Sequence, residues 1–232
     1  MTPSSRQAEL AANLAALEEL ISTACSQAGR DRSGVTVVAV TKTWPVSDAA
    51  LLRDLGVTDL AENRDQDAKE KAAAIRGVRW HFVGSVQTNK ARSIATYAHV
   101  VQSVDRPQVV AALSAGATKA DRVLEVLLQV SLDGDPARGG ALPAALPALA
   151  DQVEDADGLV LKGVMAVAPV GQDPAAAFGR LQVLGSRLAA AHPSAVLISA
   201  GMSGDLAAAI QAGSTHVRVG TAVLGHRTAG LR

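Results

Sequence analysis

Lys42 closes a compact apolar run, Val35-Thr36-Val37-Val38-Ala39-Val40-Thr41-Lys42. A β-branched run of this length, followed by Pro45, reads as a fully buried parallel strand. A lysine at its end stands at the mouth of the fold, where burial disfavours the ammonium form and lowers the amine pKa. A neutral amine is what capture of an aldehyde as a Schiff base requires. A lysine that extends its charged head into water explains the same run, so Lys42 alone decides nothing. Two further segments favour chemistry. Ser199-Ala200-Gly201-Met202-Ser203-Gly204-Asp205 opens a helix, and backbone N–H groups at such an opening, with a serine hydroxyl beside them, suit a phosphate dianion. Arg218-Val219-Gly220-Thr221 ends the last strand. Singly, Ser203 caps a helix and Gly220 permits a turn. Together, on one face with Lys42, they describe a phosphate site beside a reactive amine.

The elements that would bring these residues together alternate along the chain. Strands are read at Val35–Lys42, Asp59–Asn63, Arg79–Gly84, His99–Asp105, Arg122–Leu132, Leu159–Ala168, Val196–Ala200 and His216–Val219. Helices separate them, one starting at Pro107 and one spanning about Pro174 to Ala191. Leu10, Leu14, Leu17 and Ile21 recur at helical spacing and predict an additional N-terminal helix, within residues 1–30, packed outside the strands. Eight such strands make this an α/β protein with a (β/α)8 TIM barrel rather than an open doubly wound sheet. No Gly-rich dinucleotide fingerprint follows the first strand. No linker or repeat divides the chain, so residues 1–232 are expected to form one domain.

A barrel gathers the C-terminal strand ends on one face. Lys42, Asn63, His81, Met165, Ser199, Gly201, Met202, Ser203, Arg218, Gly220 and Thr221 are then neighbours, with Glu62, Gly84 and Asp105 beside them. The loops after the seventh and eighth strands are where barrels often hold phosphate.

Composition narrows the classes. Hydrophobic residues make up 48% of the chain, enough for a large core, and Lys+Arg and Asp+Glu are balanced at 22 each. That balance gives no support for a nucleic-acid or membrane surface, and Arg76, Arg79 and His81 read as a solvated basic loop. The single Cys25 forms no internal disulfide and fits a reducing compartment. No segment at Met1–Leu10 resembles a leader, and a soluble cytoplasmic protein is expected. Neither His-Glu-x-x-His nor a cysteine pair occurs, so no metal site is expected, and there is no P-loop. Gly201-Met202-Ser203-Gly204 lacks the spacing of a nucleophile elbow.

Read in order, Ala39-Val40-Thr41-Lys42-Thr43, Ala61-Glu62-Asn63, Trp80-His81-Phe82-Val83-Gly84 with Gln87-Thr88-Asn89-Lys90, Lys162-Gly163-Val164-Met165-Ala166, Gly201-Met202-Ser203-Gly204-Asp205 and Val217-Arg218-Val219-Gly220-Thr221 resemble the pyridoxal phosphate homeostasis protein family. These are relatives of the alanine racemase barrel, and the resemblance runs from about Val35 to Arg227. Ala61, Ala200 and Val86 depart from the usual pattern, and Ala61 bears on how closely the second strand approaches the ring. The resemblance implies binding of pyridoxal 5'-phosphate (PLP) as a Schiff base on Lys42. It implies that Ser203, the amides around Gly201 and Met202, and Gly220 with Thr221 hold the phosphate. It sets Arg218 toward the pyridine nitrogen and Asn63 near the aldehyde side, with His81 and Met165 lining the pocket. Arginine only donates hydrogen bonds and keeps that nitrogen unprotonated, which makes the cofactor a weaker electron sink.

A racemase of this class uses a second base, a tyrosine from a β-rich domain. The chain ends shortly after its last strand and its single tyrosine is Tyr97, which closes a helix. The expectation is therefore a monomeric PLP carrier or buffer that is not an enzyme, with PLP-accepting apo-enzymes as partners. A low-activity amino-acid racemase, or an aldolase using Lys42 on a phosphorylated sugar, are the alternatives.

Overall fold

The computed structural model describes residues 5–135 and 138–225. Its strands are β1 (Thr36–Val40), β2 (Asp59–Glu62), β3 (Arg79–Phe82), β4 (Val100–Val104), β5 (Leu124–Gln129), β6 (Leu159–Met165), β7 (Leu197–Ser199) and β8 (His216–Val219). They pair in parallel in that order, and β1 closes onto β8 to complete a barrel. Val38 is the seam: it faces Asp59 of β2 on one side and Arg218 of β8 on the other. The predicted (β/α)8 architecture is the observed one.

The helices are α1 (Ser5–Gln27), α2 (Val46–Asp54), α3 (Asp65–Ala74), α4 (Ala91–Tyr97), α5 (Pro107–Lys119), α6 (Leu146–Glu154), α7 (Pro174–Ala191), α8 (Leu206–Gln211) and α9 (Thr221–Leu224). Their starts follow from local chemistry. Pro107 sits in the first turn of α5, where its missing N–H costs nothing. Asp173 caps α7 by accepting from the Ala175 and Ala176 amides at 3.1 and 3.3 Å.

Most strands are shorter than their apolar runs, because a ladder lasts only while a neighbour continues it. The Thr41 amide still donates to Ala61, and then Thr43 turns the chain at φ 69°. Thus β1 stops at Val40, with Lys42 beyond it. β5 ends at Gln129 rather than Leu132 because Val130 already pairs with Ala141 of the following loop. β6 ends at Met165 rather than Ala168 because its partner β7 ends at Ser199.

α1 lies outside the strands, and it also completes the ring. α9 spans only four residues, and α1 packs against α8, α9 and α2, over the side where β8 meets β1. Arg6 grips Asp48 at 2.7 Å and the Leu224 carbonyl at 3.0 Å, and it stacks over Trp44. Arg30 donates to the Ile210 and Ser214 carbonyls at 2.7 and 2.8 Å.

The pleat sorts side chains into two compartments. Leu60, Trp80, Phe82 and Val101 join the large apolar layer between sheet and helices. Val100, Leu127 and Met165, with Leu197, form a separate small cluster inside the barrel. The interior also holds the buried polar residues Asp59, His81, Gln102, Ser199 and Arg218. Among the described residues, no helix is long and apolar enough to cross a membrane.

Candidate functional site

A cavity of about 770 Å³ opens at the C-terminal ends of the strands, within the range typical of small-molecule sites. Of the predicted residues, Lys42, Asn63, Met165, Met202, Ser203, Arg218, Gly220 and Thr221 line it. Asp105, Arg106, Gln129 and Arg138 complete much of its wall. The two predicted phosphate segments form one unit, because the Ala222 amide donates to Ser203 Oγ at 3.1 Å. Two glycines are required by space. A Cβ on Gly84 would stand 2.0 Å from the Asn63 carbonyl oxygen. Gly201, at φ +92°, would drive a Cβ to within 2.6 Å of Ala209.

Several expectations differ from the observed placement. Lys42 is exposed rather than buried, since it lies past the strand end on the cavity wall. Gly201 is not on the cavity wall, and its carbonyl accepts the Arg218 backbone amide at 2.9 Å. The Met202 amide donates to Asp205 Oδ1 at 2.5 Å. Finally, neither His81 nor Ser199 reaches the cavity wall. His81 is 2% exposed, which also overturns its reading as part of a solvated basic loop. Arg76 and Arg79 of that group are exposed cations, and Arg79 pairs with Glu125 at 2.6 Å.

His81 and Ser199 belong to a column of hydrogen bonds inside the barrel. His81 Nε2 is 2.8 Å from Asp59 Oδ1, and Gln102 Nε2 is 2.9 Å from His81 Nδ1. Ser199 Oγ donates to Gln102 Oε1 at 2.8 Å and accepts from Arg218 at 2.7 Å. Arg218 also donates to the Ala166 carbonyl at 2.8 Å. Full burial pushes the Arg218 guanidinium down to about 10, which still leaves it charged at neutral pH. Burial of Asp59 raises its carboxyl, but hydrogen bonds from His81 and Thr58 outweigh it and leave the group below its usual range. His216, whose ring lies 6.4 Å from that of His81, is pushed down to about 4 by burial and by its charged neighbours.

A second buried polar cluster lies on the outer side of β2. Glu62, fully buried, accepts from Lys71 of α3 and from the Thr41 hydroxyl. Lys71 Nζ also donates to the Thr41 carbonyl at 2.8 Å, on the peptide bond that leads into Lys42. The sequence places Glu62 with the mouth of the barrel, but β-strand alternation turns it outward toward the helices.

Sequence reasoning does not single out Gln102, although its signal is in the sequence. A glutamine and a serine interrupt the apolar run Val100-Val101-Gln102-Ser103-Val104, and polar side chains in a buried strand must find partners. Lys71 had no such signal, since it sits in a charged helix segment. Tyr97 is remote from the cavity wall: its hydroxyl bonds Asp65 at 3.2 Å, and burial raises its pKa. The described residues contain no group of His, Cys, Asp and Glu able to hold a metal.

The cavity residues suit PLP on their own chemistry. Arg218 spends only two of its hydrogen bonds on Ser199 and Ala166 and keeps further donors for a ligand acceptor. An exposed amine and two hydroxyls share the same wall.

Comparisons with known proteins agree with this geometry. The alanine racemase N-terminal domain family model matches residues 12–228. The pyridoxal phosphate homeostasis protein of Mycobacterium tuberculosis is 40% identical, over 96% of this chain and 94% of its own length. The structure of PipY from Synechococcus elongatus PCC7942 with PLP bound is 28% identical, covers 93% of this chain and all of that one, and superposes with a TM-score of 0.81. Alanine racemase from Corynebacterium glutamicum, at 14% identity and a TM-score of 0.68, shares the fold, and the match covers 63% of that chain. By its match to the family model and its identity to these relatives, the chain belongs to the alanine racemase N-terminal domain family, within the group of the pyridoxal phosphate homeostasis proteins.

Proposed function

We propose that this protein is a cytoplasmic carrier or buffer of PLP in vitamin B6 homeostasis, without robust catalysis. The observation that carries the reading is the single cavity wall shared by Lys42, Arg218, Ser203, Gly220 and Thr221. PLP supplies an aldehyde that a lysine amine captures reversibly as a Schiff base. Lys42 offers that amine, solvent-accessible and set at the end of β1. Ser203 and Thr221 offer hydroxyls from two loops already joined by the Ala222 hydrogen bond, and Arg218 offers a charged donor at the floor.

The non-catalytic part rests on where the remaining bases lie. Reprotonation of an α-carbon from both faces needs a second group within about 2.6–3.2 Å of the proton's position. Tyr97 and His81 are both absent from the cavity wall. Asp105 is on the wall, but its oxygens accept from Arg106 at 2.6 Å and from the Gly140 amide at 3.3 Å.

The test is the visible spectrum of the protein with PLP. A Schiff-base band that borohydride abolishes, and that Lys42→Ala lacks while melting within a few degrees of the parent, is the expected result. The stability change should be about 1 kcal/mol or less, because an exposed side chain is removed. A normal band in Lys42→Ala would show that another amine captures the aldehyde. The same preparation incubated with L-alanine in deuterated buffer should exchange slowly and without inversion. Rapid inversion would make the protein a racemase.

A further inference from the structure

We infer that Gln102 and Ser199 are positioning residues: they fix the Arg218 guanidinium as a donor at the cavity floor, through a hydrogen-bond column rooted at Asp59. The inference rests on the PLP reading of the cavity and adds to it what sets the direction of Arg218.

The column has a single polarity, and Arg218 imposes it. A guanidinium has no acceptor, so the 2.7 Å contact makes Ser199 Oγ the acceptor. The serine proton must then go to Gln102 Oε1, 2.8 Å away. That fixes the amide, with Nε2 facing His81 Nδ1 at 2.9 Å. Nδ1 must therefore accept, and the imidazole proton sits on Nε2, 2.8 Å from the Asp59 carboxylate. Every member has one role, and reversing any link breaks the next. A carboxylate at the root is the right terminus for such a chain, because it can only accept. Gln102 and Ser199 are both 0% exposed, so no water replaces a lost partner.

The column is more than a way to fill the barrel. Val100, Leu127, Met165 and Leu197 fill the neighbouring interior with apolar side chains. Apolar groups would serve equally on the column's side, at less risk of unsatisfied polar atoms. What the column adds is direction. Ser199 and the Ala166 carbonyl hold the two terminal nitrogens of Arg218 at 2.7 and 2.8 Å, which fixes the plane of the guanidinium. A flat donor held in one plane suits an acceptor on a flat ring, such as the pyridine nitrogen.

The test uses PLP labelled with ¹⁵N at the pyridine nitrogen, bound to wild type, Ser199→Ala, Gln102→Met and the hydroxyl-retaining Ser199→Thr. The Schiff-base band should persist in all, because Lys42 is untouched. The ¹⁵N resonance should move from its wild-type position in Ser199→Ala and Gln102→Met, and the PLP dissociation constant should rise about five-fold, the size of one ordinary hydrogen bond. Ser199→Thr should restore both. A resonance unmoved in folded variants that keep the band overturns the inference, whatever their melting temperatures, because a merely space-filling column would lower stability alone. If Gln102→Met does not fold, the smaller Ser199→Ala change decides. A wild-type protein with no Schiff-base band would instead overturn the PLP reading itself.

Discussion

β2 carries two buried carboxylates three residues apart, and they serve opposite compartments. Asp59 points into the barrel and roots the column that ends at Arg218. Glu62 points outward, where Lys71 and Thr41 hold it against the helical layer. The inward column is a chain of hydrogen bonds among largely neutral groups between two charged ends. The outward cluster is a close ion pair in a dry site. Glu62 Oε2 has no hydrogen-bond partner among the described residues, whereas both Asp59 oxygens are engaged, by His81 and by Thr58 at 2.7 Å. The difference teaches where each cluster acts. The column aims a side chain at the cavity floor. The ion pair grips a backbone carbonyl, that of Thr41, at the point where the chain leaves β1 for Lys42.

The largest effect should come from breaking the outward pair. Glu62→Gln leaves the Lys71 ammonium buried without its counter-charge, and losing one member of such a pair typically costs about 3–5 kcal/mol. Urea denaturation should read that loss, and Glu62→Leu with Lys71→Met should recover most of it. If Glu62→Gln unfolds at the parent's midpoint, the pair is not what secures this end of β1.

The inward side should respond to acid instead. His216 is held down to about 4 in the fold against about 6.5 in an open chain. Between those values the unfolded chain binds the extra proton, so stability falls as pH falls from 6.5 toward 4. Roughly 2–3 kcal/mol should disappear between pH 7 and pH 4.5, and His216→Asn should remove most of that slope. Asp59, whose folded value is depressed, adds stability that is present above about pH 3.9 and is lost only below it. The two groups therefore separate in one titration. A wild-type slope unchanged in His216→Asn would assign the acid sensitivity elsewhere.

The smallest effect belongs to the loops that neither cluster reaches. Ser203→Ala and Thr221→Val should each weaken PLP by about 1.5 kcal/mol, the low end for hydrogen bonds to a charged group, since both side chains retain some solvent access. Pyridoxal without phosphate should lose little by either change. Equal losses for both ligands would remove the phosphate assignment.

The sequence by itself determined the barrel and much of the cavity wall. Apolar runs at regular spacing, with proline and glycine between them, are local signals, and the β8 run His216–Val219 and the α7 run Pro174–Ala191 were legible to the residue. The Lys42, Ser203 and Arg218 segments were legible because strand ends in a barrel converge by topology alone. Only the tertiary structure decided which way each polar residue faces. Glu62 sits at a strand end, yet a shift of one residue in the pleat sends a side chain to the other compartment, whereas His81 and Ser199 face inward with Arg218 but stay off the cavity wall. Only closure of β1 onto both β2 and β8 brings Asp59 and Arg218 into one interior. Contacts such as Ser199 to Gln102, 97 residues apart, leave no local pattern, because hydrogen-bond partners are chosen by distance in space and not by spacing along the chain.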